Sequence, residues 1–361
     1  MKNILIVLVG LLAVASCSNS AGVKYMTPDY YLEKAVAIKG EPLPTEYISE
    51  DSYVCHYTPD GFIGEMKHQN GKLVHLADLQ NGEIKTSACT RGRGPGEILL
   101  IADSDLKGND LYLLDPAADK IMKVGKVNDT LICEDVVNLS LKQPKFFVNM
   151  EAISESMFAM FVSSRDYLGS IMLIDRNSNL VDSLAYLPLE DEGLNHSAYR
   201  YNVQLELSPS NRYLFVSCGQ FDCVSKYEIK ENRIIPQKKI YLSEPKYEIK
   251  NGKPVRNDDY MLFNNRIYAG DKYLYVTVDP ETVKDYKARH KKAEEEGRGD
   301  KEWAHPGNDT YILVFDYDLN LVKSFRSDCD IINLAVTTDP EVVYATDLRE
   351  NRLVKYTLRG L

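Results

Sequence analysis

Several short segments pair guanidinium groups with planar rings or carboxylates, the residue types that grip sugars, peptides and anions. Arg165 and Tyr167 flank Asp166, and Arg200 stands between Tyr199 and Tyr201. Both sets suit stacking on a sugar ring or clasping a peptide, although solvated loop residues would look the same. Arg91 and Arg93 alternate with Gly92, Gly94 and Gly96, so guanidiniums and backbone N–H groups could meet an anion such as a sugar acid. The competing reading is a tight link in which the glycines permit unusual backbone angles and Arg93 pairs with Glu97. Arg256 precedes the carboxylate pair Asp258 and Asp259, which offers a cation site, acid/base work or simply a turn. Trp303, the single tryptophan, lies close to His305 as a candidate stacking platform, and Arg349 sits in a late turn.

Motifs of the common catalytic classes are missing. The six histidines form no HExxH or other close ligand pair, there is no CxxC, and neither a GxSxG elbow nor an SxxK occurs. The Gly-rich stretch at 92–96 lacks a following GK[ST], so it is not a phosphate loop. No catalytic residue, metal ligand or cofactor is assigned. Across 361 residues the formal net charge is −10, which argues against nonspecific binding to nucleic acid or to an acidic lipid surface.

The start of the chain reads as an address. Lys2 supplies a positive charge, and residues 4–14 (ILIVLVGLLAV) form an apolar run too short to span a bilayer. The following Val14, Ala15, Ser16 and Cys17 resemble the lipobox of bacterial lipoproteins, which implies removal of residues 1–16 and acylation of Cys17. Residues 17–30 are then the lipidated Cys and a tether, and 31–361 the folded domain. By the same resemblance, Ser18 is compatible with sorting to the outer membrane of a Gram-negative envelope, on its periplasmic or cell-surface face. Of the remaining six cysteines, only Cys218 and Cys223 are close in sequence. They flank a turn and read either as a cross-strand disulfide or as two small buried side chains.

From residue 35 onward, short runs of Val, Ile, Leu, Tyr and Phe alternate with Asn, Asp, Gly and Pro at intervals of about ten residues, the pattern of an all-β fold. Internal echoes sharpen this. Residues 175–181 (DRNSNLV) match 316–322 (DYDLNLV), both as hairpin turns, and 111–115 (LYLLD) match 343–347 (VYATD). Placing third strands at 73–78, 120–124, 170–175, 224–229, 310–316 and 352–358 gives six four-stranded units of propeller-blade length, save one stretched by a charged insertion at 280–305. Within it, Asp279 as N-cap, Pro280 and Gly297 predict a helix over 281–296, a solvated face or a lid. The last unit runs out of chain after three strands, and 35–39 (AVAIK) is available as its fourth. The expectation is a six-bladed β-propeller closed by an N-terminal strand, with a helical insertion (281–305) in blade five.

Residues 90–97 (TRGRGPGE) with the unit that follows resemble the NHL-type repeat, and the whole chain resembles the TolB-like six-bladed propeller lipoproteins. Those families imply fold and address far more than activity. Propeller connectivity brings the link at 90–97, the Asp115 turn, 163–169, 199–201, the 218–223 turn, 255–260, the insertion and the Arg349 turn to one face. The expected function is a lipid-anchored, ligand- or protein-binding monomer with a glycan or envelope protein as partner and no nucleic acid. The alternative is a cation-dependent hydrolase or lactonase, or a glycan-active enzyme, using channel carboxylates and a divalent cation.

Overall fold

The computed structural model describes residues 24–361 except 44–51, 59, 67–70, 79, 82, 140–145, 164–168, 190–193, 195–202, 264, 296–308 and 351. Six antiparallel sheets of four main strands follow one another along the chain. Their innermost strands are Ser52–Thr58, Asp103–Lys107, Phe146–Ser154, Val203–Leu207, Arg266–Ala269 and Ile331–Val336. The third strands fall at Lys72–Ala77, Lys120–Val127, Ser170–Asp175, Cys223–Lys230, Tyr311–Phe315 and Arg352–Thr357, within a few residues of the positions read from the repeat. The chain is an all-β six-bladed propeller.

The apolar residues of the strands are buried between blades rather than in one central core. Tyr112, Leu114 and Ile121 of blade two meet Met150, Phe158 and Met160 of blade three, and equivalent clusters join blades three to four, four to five and five to six. This explains strands that read as apolar on both faces: each sheet packs against a neighbour on either side. Between blades six and one, Ala77, Ala335 and Leu353 are buried, with the rings of Tyr57 and Tyr344 stacked 5.4 Å apart beside them.

The echoed turns share one hydrogen-bond scheme. Asp175 accepts from the N–H groups of Asn177 and Asn179 and from the Asn179 amide, and Asp316 does the same with Asp318 and Asn320. An Asx turn of this kind fixes the hairpin locally, which is why the motif recurs between the third and fourth strands of blades three and five.

The N-terminal segment differs from expectation. Lys24–Tyr25 runs parallel to the outer strand of blade four at Ile240 and Tyr241, within the stretch read as a tether. A short helix, α1 (Pro28–Glu33), follows and buries Tyr31, whose hydroxyl donates to the Leu242 carbonyl at 2.8 Å. Val36–Ala37, from the segment assigned to the last blade, instead pairs with Phe325 and Arg326 of blade five. It is Glu41–Pro42 that pairs with Lys355 and Val354 on the outer edge of blade six. Pro42 has no N–H to give a further strand, so an edge position suits it.

The insertion also starts later than its sequence signals suggest. Glu281–Thr282 forms a two-residue strand against Met261–Leu262, and the helix α2 spans Val283–Glu295. Thr282 is its cap: the Oγ1 atom accepts from the Asp285 N–H at 3.1 Å and donates to the Asp285 carboxylate at 2.6 Å. Asp279 is occupied elsewhere, accepting from the Thr310 hydroxyl at 2.7 Å.

Candidate functional site

The six innermost strands surround a central cavity of about 380 Å³. Each blade contributes: His56 and Tyr57 from blade one, Asp103 and Ser104 from two, Glu151 from three, Gln204 and Glu206 from four, Tyr268 from five and Asn333 from six. An innermost strand has no partner on its inner side within its own sheet, so its backbone donors need acceptors from outside. Side chains of the preceding blade provide them. Asp103 and Asp105 accept from the N–H groups of Met150 and Ala152, each at 2.7 Å, and Glu151 accepts from Leu207 at 3.0 Å. Gln204 and Glu206 repeat the pattern toward Ile267 and Ala269, at 3.0 and 2.9 Å. Arg266 then donates to the Ile332 carbonyl of blade six, and His56 meets the Ser104 hydroxyl at 3.0 Å between blades one and two. The same side chains therefore latch the blades and line the channel.

Their ionisation is shifted by that position. Burial pushes Asp103 up to about 7 in spite of the hydrogen bond from Met150, and Asp105 up to about 6. Glu151 and Glu206 are likewise held well above the ordinary carboxyl range, by burial first and then by Asp105 and Asp103, with Glu206 adding to the effect on Glu151. Burial lowers His56 to about 4, leaving its ring neutral at pH 7. Lys107, which faces Asp105 and Glu151, is also lowered by burial.

Of the residues singled out from the sequence, Arg91, Arg93, Arg256, Asp258 and Arg349 are among the described ones. Arg91 and Arg93 are exposed. The Gly-rich link wraps its own carboxylate: Glu97 accepts from the Gly94 N–H at 2.7 Å, and a Cβ at Gly92 would lie 2.0 Å from Glu97 Oε2. The anion expected from outside is thus already supplied by the chain, by way of the backbone rather than through Arg93. Arg256 lies over the rings of Phe221 and Tyr260, at 5.2 and 5.1 Å, and donates to the Gln220 carbonyl. Beside it, buried Asp222 accepts from Phe263 N–H at 3.0 Å and is pushed up to about 7 by burial. Asp258 pairs with Lys287 of α2 at 2.7 Å, and Arg349 pairs with Asp309 at 2.9 Å. Arg256, Asp258 and α2 are therefore brought together. Arg165, Tyr167, Tyr199, Arg200, Tyr201, Trp303 and His305, like Cys17, lie outside the described residues.

Cys218 and Cys223 face each other across the second and third strands of blade four, buried as free thiols among Tyr186, Leu205 and Phe221. The disulfide in the structure joins Cys89 and Cys133, on the fourth strands of blades one and two. Among the described residues no group of three or more His, Cys, Asp or Glu side chains is arranged to hold a metal ion.

Six sheets thus close around a polar, carboxyl-lined channel. The chain belongs to the TolB-like 6-blade propeller-like family, whose model matches residues 59–339. No curated protein matches the sequence. Among solved structures, a member of the DUF4221 family from Bacteroides vulgatus is 11% identical, with 90% of this chain and 96% of that one covered and a TM-score of 0.52. A putative exported protein from Bacteroides fragilis is 11% identical over 90% of this chain and 87% of that one, with a TM-score of 0.46. BamB from Moraxella catarrhalis is 10% identical over 88% and 99%, with a TM-score of 0.42. At these identities the likeness concerns the fold alone.

Proposed function

We propose that the chain is an exported, lipid-anchored binding protein that holds a small polar ligand in its central channel. The observation that carries the reading is the cavity of about 380 Å³, to which all six blades contribute side chains and in which carboxyl, amide, hydroxyl and imidazole groups converge. The sequence around Cys17 supports attachment through acyl chains, each buried methylene contributing about 0.8 kcal/mol. Among the described residues no helix is long and apolar enough to cross a membrane. In this reading the protein sits on the outer membrane of a Gram-negative envelope, and the face carrying Arg256 and α2 is available to a glycan or an envelope protein.

Two experiments test it. Membrane fractionation should find the wild type in the membrane and Cys17→Ser in the soluble fraction; retention of the variant would refute lipid anchoring. A thermal-shift screen of small polar compounds should give ligands whose effect disappears in Asn333→Leu, which fills the channel with an apolar group. A screen whose ligands are all indifferent to that substitution would reject the channel.

The enzyme alternative, a cation-dependent hydrolase or lactonase or a glycan-active enzyme, draws on one observation: Asp103 is poised near neutrality. Against it, the channel carboxyls already accept backbone N–H groups as interblade latches. Hydrolysis of a lactone or glycoside that is lost in Asp103→Asn would favour catalysis.

A further inference from the structure

We propose that the channel is a site for a small organic ammonium ion, held by the carboxyl groups of Asp103, Glu151 and Glu206. The proposal rests on the reading of the channel as a binding site and adds the chemical class of its ligand.

The balance of charge around the cavity points to a cation. Three carboxyl groups enter from three successive blades, with Asp105 behind them. The basic groups nearby are few and already engaged: Lys107 donates to Asn211, and Arg266 to the Ile332 carbonyl. Of the lining residues only His56 could carry positive charge, and its ring is neutral at pH 7. Tyr268, and Tyr317 within electrostatic reach of Glu206, stay protonated because burial raises both. Lys107, facing Asp105 and Glu151 from outside the lining, is one cation against four carboxyls, so acceptors remain in excess.

Hydrogen-bond capacity fits the same class. Glu151 and Glu206 each give one oxygen to a backbone N–H, and a carboxylate offers about four lone-pair sites. Gln204, Ser104 and Asn333 add amide and hydroxyl groups to the wall, suited to the remaining polar atoms of an amine. A bare metal ion would need oxygens converging at about 2.0 to 2.6 Å, whereas these carboxyls are spread over three blades and tied to separate backbone donors. An ammonium group, with several N–H donors on a carbon frame, tolerates the wider spacing and forms charge-assisted bonds of about 2.7 to 2.9 Å. The volume of about 380 Å³ suits a small molecule and not a polymer.

Binding must then be linked to protons. Burial raises all three carboxyls, so a cation that enters favours their ionised forms and drives release of the protons they hold to solvent. Affinity therefore rises with pH until the carboxyls are ionised without help.

The test is isothermal titration calorimetry of the detergent-solubilised full chain with putrescine. Titrations run at about pH 6 and pH 8, in buffers of different ionisation enthalpy. 1,4-Butanediol serves as the uncharged control. Glu151→Gln and Glu206→Gln keep an amide oxygen for the Leu207 and Ala269 N–H groups while removing the charge, and circular dichroism confirms that they fold. Putrescine should bind about tenfold or more tightly at the higher pH, with net proton release, and each substitution should weaken it about tenfold. Equal binding of butanediol, or putrescine affinity unchanged in both variants, would overturn the ammonium class. If a neutral compound then binds and loses its affinity in Asn333→Leu, the channel reading survives without this proposal. Binding of calcium but not putrescine, abolished by the same variants, would overturn the organic ligand in favour of a metal.

Discussion

Replacing Asp103 by Asn should stabilise the protein in a strongly pH-dependent way. In the folded chain burial raises Asp103 from its ordinary 3.8 to about 7. A carboxyl whose folded pKa lies above its unfolded value contributes stability below about pH 4 and loses it as pH rises toward 7, because the unfolded chain releases the proton first. At about 1.4 kcal/mol per unit, roughly three units give an upper bound of about 4 kcal/mol. Asp103 lines the channel and is not sealed in a dry core, so about 2 to 4 kcal/mol is the working figure at pH 8. The Asn amide oxygen can still accept the Met150 N–H, so the latch persists. His56 acts with opposite sign, since its folded pKa of about 4 makes stability rise between about pH 4 and 6.5. The difference between variant and wild type cancels that contribution. Guanidinium chloride unfolding followed by circular dichroism should show little difference at about pH 3.5 and a variant more stable by about 2 to 4 kcal/mol at pH 8. A difference that does not change with pH, or a variant less stable at pH 8, would refute the reasoning.

Two further predictions concern the links between blades and the docking of α2. Cys89→Ser should lower stability by about 4 kcal/mol in the loop-entropy account for a bridge spanning 44 residues, and mass spectrometry of the unreduced wild type should find the Cys89–Cys133 peptide pair. Arg289→Ala leaves Glu281, whose side chain is only 4% exposed, without the guanidinium it meets at 2.7 Å. A loss of about 3 to 5 kcal/mol, or faster proteolysis within α2, is expected, with Glu281→Gln plus Arg289→Ala recovering part of it.

What could be read from the sequence was whatever is local. The turns at Asp175 and Asp316 close through carboxylate hydrogen bonds made within five residues, so they recur as a visible motif in blades three and five. The buried strands show as apolar runs for the same reason. The channel site escaped because its members come one or two to a blade, about fifty residues apart, with no shared motif. A signal did exist: once the blades are aligned, polar residues alternate along the innermost strands of blades two, three and four, as Asp103 and Asp105, Asn149 and Glu151, and Gln204 and Glu206. The Cys89–Cys133 bond was hidden similarly, since it joins equivalent strands of different blades, whereas Cys218 and Cys223 drew attention by being close. The N-terminal strands were misassigned because two-residue pairings at a sheet edge leave almost no hydrophobic pattern.

Those brief pairings also set an order of events. Lys24–Tyr25, Val36–Ala37 and Glu41–Pro42 dock on strands near residues 240, 325 and 354, so the first part of the chain must wait for the last. Contacts that span 200 to 300 residues demand the closure of very long loops before they give anything back. A ribosome that releases the chain from its N-terminus therefore delivers this strap long before its docking edges exist. The early segment thus has no edge to lock onto until blades four, five and six have formed.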